Sequence, residues 1–280
     1  MPLTPIRMLS VNAHPHDFTH TAGTLGIHTS EGDKGTVVSV TTGAKTHNEA
    51  LHDELMKPVE EQDPKIINQS EAELVSIKER ELKKACGIFG VSDVRTLGFP
   101  QPFHLDSHPE SVEMIRDVIL DVRPHVLIMQ SPYNMRSRKG RPSVIEDDHI
   151  ETARATLAAR REAGEPRQGV TPHSIPCVLF PGVYFERDEY DFTVDVTEWF
   201  EQRVEAEAAY VSQGHTLAWS RVRMQNVLGP VGWQSQTRYA EAFVREKLEV
   251  FPRIPISELS IQLSESPIHT RYSRMVGTSK

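Results

Sequence analysis

The amino-acid sequence predicts an α/β protein with a Rossmann-like, doubly wound, mostly parallel sheet and helices on both faces. Three observations predict it. Short apolar runs alternate with longer runs of helical periodicity, which is the order of βαβ units. Residues 36–41 are β-branched almost throughout, as expected of a strand buried on both faces. Polar loops follow the first and fourth strand-like runs, and a doubly wound sheet binds its ligands beyond those carboxyl ends.

In chain order, residues 6–11 form the first apolar run, followed by a polar turn at 12–18 and a helical stretch over 21–30. Gly32 and Asp33 turn the chain into the strand at 36–41. Residues 43–68 show no clean period and carry Pro58 and Pro64; connections this long are usually functional or disordered. Ser70 with Glu73 makes a capping box, and Leu74, Ile77, Leu82, Ile88 and Phe89 give the following helix its apolar face. A third strand is expected at 94–97, a helix around Val112, Ile115, Val118 and Ile119, and a fourth strand at 126–130. A polar loop over 131–145 leads into a helix starting near Asp147. Strands at 177–180 and 192–196 and a helix over 197–212 complete one catalytic domain, residues 1–250. Residues 251–280 turn Pro- and Ser-rich and read as an extended C-terminal tail or a subunit-contacting arm.

Of the 280 residues, 38% are hydrophobic and 25% charged, enough for an ordinary globular core. The net charge of -8 argues against nucleic acid or an anionic membrane as partner. The expected partners are a small-molecule substrate and further copies of the chain in a homo-oligomer. Cys86 and Cys177 stand far apart and build neither a disulfide framework nor a CxxC knuckle. No run approaches the roughly 20 apolar residues of a membrane span, and residues 1–10 lack a signal-peptide core. The compartment expected is the cytoplasm.

The loop after the first strand reads Ala13-His14-Pro15-His16-Asp17, and the loop after the fourth ends Glu146-Asp147-Asp148-His149. If the sheet is doubly wound, these two clusters converge. His14 and Asp17 can be aimed at one ion by a turn, and His149 falls in the first turn of its helix. There the positive end of the helix dipole disfavours imidazolium, and a metal ligand must be neutral. Two imidazoles and one carboxylate with an open position are the ligand set of a catalytic zinc site. Such an ion lowers the pKa of its water to roughly 7. The remaining polar residues have plainer readings: Asp147 and Asp148 as helix caps, His20 and His28 as surface residues, and His104 and His108 as solvated loop residues. His47, Glu49 and His52 lie in the long loop and are candidates to approach the site. Arg138 and Arg141, ahead of the metal helix, are candidate substrate contacts with His47 and Glu49.

At His14–Asp17 the sequence resembles the LmbE-like, or PIG-L, family of zinc-dependent deacetylases, whose usual motif is Ala-His-Pro-Asp-Asp. Asp148-His149 with Thr152-Ala153, the segment 209–213 (AYVSQ) and the segment 232–243 closing in Tyr239-Ala240-Glu241-Ala242-Phe243 resemble three further family segments. The resemblance covers roughly residues 6–250. It implies a Rossmann-like fold and zinc (Zn2+) held by His14, Asp17 and His149. It also exposes departures. His16 replaces the Asp that serves those deacetylases as general base, Glu146 replaces a His that steadies the oxyanion, and Tyr210 stands where a His is common. His16 and Glu146 are therefore the candidate catalytic residues, and Tyr210 a candidate substrate contact. A hydratase branch of the family, the 4-oxalomesaconate hydratases, also lacks that Asp and reads Ala-His-Ser-Ala-Asp-Phe where this chain has residues 13–18. The leading expectation is a zinc-dependent hydrolase of an amide bond in a small polar substrate, with His16 as general base and not as a ligand. The alternatives are a zinc-dependent hydratase of an unsaturated carboxylate and a binding protein that has lost catalysis.

Overall fold

The structure, a computed structural model, describes residues 4–45, 48–133 and 147–277. Its centre is a seven-stranded sheet of β1 (Arg7–Asn12), β2 (Lys34–Thr41), β3 (Asp93–Phe99), β4 (Val126–Met129), β5 (Cys177–Pro181), β6 (Phe192–Asp195) and β7 (Ala240–Arg245). The spatial order is β3-β2-β1-β4-β5-β7-β6. The strands from β3 across to β5 pair in parallel, and β7 lies antiparallel between β5 and β6. The Rossmann-like, mostly parallel sheet expected from the sequence is thus present.

The alternation of a strand sends successive side chains to opposite faces, and both faces of this sheet are apolar. Leu9, Val11, Val38, Val40, Leu127 and Met129 pack on one side against Ile115 and Ile119 of α5 (Glu110–Val122) and Ala153, Ala155 and Ala159 of α6 (Asp148–Gly164). Met8, Val37 and Ile128 face the other way, onto Ala22 and Leu25 of α1 (Ala22–Ser30), Leu82 and Ala85 of α4 (Glu71–Ile88) and Ala206 of α7 (Phe200–Ala208). The crossovers from β1 and from β3 therefore leave on opposite faces, which places the switch point between β1 and β4. Deleting one of these side chains to Ala, Leu9 for instance, costs about 2–5 kcal/mol.

The segment 43–68 is more regular than its sequence suggests. It contains α2 (Glu49–Leu55), capped by the Asn48 side chain, and the short α3 (Pro64–Ile67), capped by Asp63 with Pro64 at the first position. The Ser70–Glu73 capping box of α4 forms as expected.

Two further elements within residues 1–250 were not expected. Helix α8 (Leu217–Gln234) contains Gly229, Pro230 and Gly232, residues that normally interrupt a helix. Gly232 is required there, because a Cβ would lie 2.4 Å from the Arg238 carbonyl oxygen. Strand β7 carries the buried Glu241 among apolar neighbours, which hides its strand pattern. The tail is not extended: α9 (Glu258–Glu265), capped by Ser257, and α10 (Ile268–Val276) form within it. Helix α10 is tied to the body by an Arg274–Asp195 ion pair, whereas Leu248, Val250 and Ile254 are exposed. Among the described residues, no helix is long and apolar enough to cross a membrane.

Candidate metal centre

Beyond the end of β1 the chain turns at once. The Thr41 backbone N–H and hydroxyl both donate to the Ala13 carbonyl, at 2.9 and 2.8 Å. The Asp17 N–H donates to the His14 carbonyl at 3.2 Å, and Asp17 Oδ2 accepts the His14 N–H at 2.8 Å. This closed turn puts the His14 and Asp17 side chains on one side. His149 reaches them from the second residue of α6, whose N-terminus is capped by the Asp147 carboxylate.

Asp17 Oδ2 lies 3.4 Å from His14 Nδ1 and 3.4 Å from His149 Nε2. A tetrahedral ion with bonds of about 2.0–2.2 Å sets its ligands roughly 3.3–3.5 Å apart, so the spacing suits a zinc-sized ion. One ligand atom from each of the three residues lies within 4.8 Å of the others. Each imidazole is turned by a carboxylate behind it. His14 Nε2 is 2.9 Å from Asp148 Oδ2, and His149 Nδ1 is 2.6 Å from Asp147 Oδ1. With those nitrogens donating, the remaining lone pairs point at Asp17, the arrangement by which proteins orient histidine ligands. Asp148 is fixed in turn by Gln101 Nε2 and the Phe103 N–H, and Asp17 accepts from Gln130.

The electrostatics agree. Burial by itself would lower both histidines, but Asp17 and the carboxylates behind the rings outweigh it and push His14 up to about 9 and His149 up to about 10. The Asp17 carboxyl, despite burial that favours its neutral form, is held well below the usual range by the two imidazoles. Three carboxylates thus converge on two imidazoles, a cage short of positive charge. The helix dipole does not keep His149 neutral, contrary to the sequence expectation, because Asp17 and Asp147 override it. Asp147 and Asp148 do more than cap α6.

His16 faces away from this cage. Its Nε2 lies 2.9 Å from Oε1 of Glu207, a fully buried residue of α7. His215 lies beside them, with Nδ1 3.0 Å from the Glu207 carbonyl oxygen and 3.4 Å from Oε1. Arg223 Nε, from α8, is 2.9 Å from the same Oε1. His16, Glu207 and His215 form a second group with ligand-type spacing. A small cavity of about 70 Å3 joins the two halves and is lined by His14, His16, Asp17, Lys78, His149 and Gln213, among others. A larger cavity of about 1240 Å3 beneath α10 shares none of these residues.

The other candidates are distributed as follows. Tyr210, expected to touch substrate, is fully buried and donates to the Pro15 carbonyl at 2.8 Å, so it braces the metal loop. Glu49 starts α2 and acts electrostatically on Lys78, a lining residue. His52 is exposed on α2 beside Asp53. His20 is half-buried, with its ring 6.1 Å from that of His16, and burial drops its pKa to about 3; it is not a surface residue. His28 is also partly buried, with Nδ1 2.7 Å from Asp33 Oδ2. His47, Arg138, Arg141 and Glu146 lie outside the described residues. Glu207, His215 and Lys78 carried no signal in the sequence, since only the fold brings them to the site.

The buried Glu241 of the C-terminal segment accepts hydrogen bonds from Gly23 N, Thr24 N and Thr24 Oγ1 at 2.9, 2.8 and 2.7 Å. It also pairs with the buried Arg203 at 3.1 Å. Its task is to hold the start of α1, the helix that follows the metal loop.

Residues 9–160, just over half of the chain, match the family described as GlcNAc-PI de-N-acetylase, PIG-L. A 1D-myo-inositol 2-acetamido-2-deoxy-alpha-D-glucopyranoside deacetylase of Thermomonospora curvata is 28% identical over 184 residues, 59% of this chain and 56% of its own. The protein of the same name from Nocardiopsis dassonvillei is 30% identical over 185 residues, 60% of this chain and 59% of its own. The chain thus spans less than two thirds of the length of the curated relatives it matches. Among solved structures, the 4-carboxy-2-hydroxymuconate hydratase of Pseudomonas putida superposes with a TM-score of 0.70 at 18% identity, over 89% of this chain and 100% of that one. The N,N'-diacetylchitobiose deacetylase of Pyrococcus horikoshii gives 0.63 at 18% identity, over 85% of this chain and 82% of that one. At such identities these likenesses concern the fold.

Proposed function

Because this chain belongs to the PIG-L family, whose match runs through both metal-loop segments, we propose that it is a zinc-dependent hydrolase cleaving an N-acyl amide in a small polar substrate. The substrate class favoured is an N-acetylated amino sugar or a related conjugate, in keeping with the names of the relatives. The observation that carries the reading is the His14–Asp17–His149 cage opening on the same cavity as His16.

A divalent ion held by His14, Asp17 and His149 would polarise the acyl oxygen and make water acidic enough to attack near neutral pH. His16 offers the proton acceptor. Glu207 occupies its Nε2, which leaves Nδ1 to take a proton from the attacking water. As the water oxygen adds to the acyl carbon, that proton moves to His16. His16 then passes it to the departing nitrogen, the C–N bond breaks, and a carboxylic acid and a free amine result. General acid–base help of this kind contributes about 10²–10⁴-fold. Asp147 and Asp148 hold the imidazoles in place throughout.

The direct test is acetate release from a panel of N-acetyl amino sugars by the zinc-loaded protein. Turnover that disappears in His149→Ala supports the reading. No acetate from any member, together with loss of absorbance from an unsaturated dicarboxylate, would replace it with hydration.

A further inference from the structure

We propose that Glu207 is a positioning residue that holds His16 as its Nε2–H tautomer, leaving Nδ1 for the reaction. The inference deepens the proposed function and rests on it for the role of His16, though not for the geometry. Glu207 Oε1 is 2.9 Å from His16 Nε2, and Glu207 has no exposure to solvent. A buried carboxylate can only accept, so the nitrogen it meets must carry the proton. The carboxylate faces a cation, with Arg223 Nε 2.9 Å from the same Oε1, and His215 Nδ1 lies 3.4 Å from it. The neighbouring rings limit rotation of the His16 ring: the Tyr210 centroid lies at 5.0 Å and the His215 centroid at 5.3 Å, both edge-on. The rest of the pair is also anchored, since His215 stacks on Trp219 at 4.1 Å and Arg223 lies over that same indole.

The same three residues, His16, Glu207 and His215, have the spacing of metal ligands. Their charge argues for a different role. The His14 cage gathers three carboxylates around two imidazoles, whereas here the single carboxylate already faces a guanidinium on the oxygen that meets His16. A dication would have to displace Arg223 or sit against it. A carboxylate that orients a working imidazole needs neither, and it is the recurring partner of a histidine that moves protons.

The test needs no substrate for its first arm. In the zinc-loaded protein, two-bond 1H–15N correlation spectra read which ring nitrogen of His16 is protonated, with the resonance assigned by its loss in His16→Gln. An Nε2–H tautomer is expected, and an Nδ1–H tautomer would overturn the proposal whether or not an amide is ever cleaved. The second arm compares Glu207→Gln, which keeps an acceptor oxygen and drops the charge, with Glu207→Leu, which drops both. Both variants remove the carboxylate charge that faces Arg223, so they share that part of any loss of stability. Glu207→Leu should lower kcat by about 10–100-fold at near-constant KM and unchanged ion content. Glu207→Gln should restore most of that rate and the tautomer. Equal rate losses in the two variants, or a second ion per chain that vanishes with Glu207, would each overturn it. Failure of the amide reading would leave the tautomer result standing, so the two outcomes are separable.

Discussion

His16 and Asp17 are neighbours in the chain, yet their side chains part: Asp17 Oδ2 sits 3.4 Å from His149 Nε2, while His16 Nε2 sits 2.9 Å from Glu207 Oε1. One turn thus sends a candidate ion ligand and the proposed proton acceptor to opposite sides. The hydrogen bond from the His14 N–H to Asp17 Oδ2 and the start of a 3-10 turn at Asp17 set the division.

The purified protein is expected to bind about one divalent ion per chain. Ala at His14, Asp17 or His149 should remove most of it, as read by elemental analysis. Asp147→Asn and Asp148→Asn should retain the ligands and weaken affinity by roughly 10–100-fold, since they only hold the rings. Full occupancy in all three ligand variants would displace the site.

Loading the ion should release protons. In the ion-free protein His14 and His149 titrate at about 9 and about 10, above the free value of 6.5, so both are charged near neutral pH. An ion requires them neutral, so up to two protons should leave per ion bound at about pH 7.5, and affinity should rise with pH through the region of the two values. The same shifts fix the sign for stability. The raised histidines contribute fully below about pH 6.5, and that contribution is lost as pH rises through about 9–10. The ion-free protein should therefore weaken toward alkaline pH, while bound ion should offset the loss. A pH-stat titration that shows no proton release would contradict the assignment.

His16→Ala should keep the ion and lower kcat by about 10²–10⁴-fold. His16→Asp, which recreates the usual family motif, should keep the ion and a larger share of amide hydrolysis. Loss of the ion along with activity would make His16 a ligand instead.

The architecture of the site was legible in the sequence to the extent that it lies in local pattern. The apolar runs marked β1 and β4; the turn directly after β1 pointed to His14 and Asp17, and the start of the helix that follows the loop after β4 pointed to His149. The Ser70–Glu73 box marked the start of α4. What stayed hidden depends on distant pairing. Glu207 meets His16 across 191 positions of the chain, and no periodicity reports such a contact. Asp147 and Asp148 read as caps because a cap and an imidazole-orienting carboxylate look alike until the rings are placed. Tyr210 reads as a substrate contact from its place in the family segment, whereas its ring is enclosed by the core and its hydroxyl satisfied by Pro15.

Tyr210→Phe follows from that geometry. It removes one buried hydrogen bond and leaves the Pro15 carbonyl without that partner, at a cost of about 1–3 kcal/mol. Thermal denaturation should show the loss, with ion content retained and KM within a few-fold of the parent. A large rise in KM at unchanged stability would return Tyr210 to the substrate.

The last prediction concerns Glu241, far from the ion in sequence yet holding the helix that follows the metal loop. Thr21, at the N-cap of α1, makes no side-chain cap hydrogen bond, so the buried amides at the helix start need another acceptor. Glu241 supplies it through Gly23 N, Thr24 N and Thr24 Oγ1, and its charge is balanced by Arg203, with both side chains only 1% exposed. Gly23 permits the approach, because a Cβ there would lie 3.0 Å from Glu241 Oε1 and 2.8 Å from Val196. Removing one partner of a buried pair leaves an uncompensated charge, so Glu241→Ala should cost about 3–5 kcal/mol. For a chain of this size that lowers Tm by roughly 6–20 °C. Because the segment from Asp17 to Thr21 runs directly into α1, ion affinity should fall as well, although Glu241 touches no ligand. Pairing the change with Arg203→Met, which removes the stranded guanidinium, should recover part of the stability but not the helix cap. The double variant would then regain Tm more fully than ion affinity, and equal recovery of both would show that the charge, not the cap, links Glu241 to the metal loop.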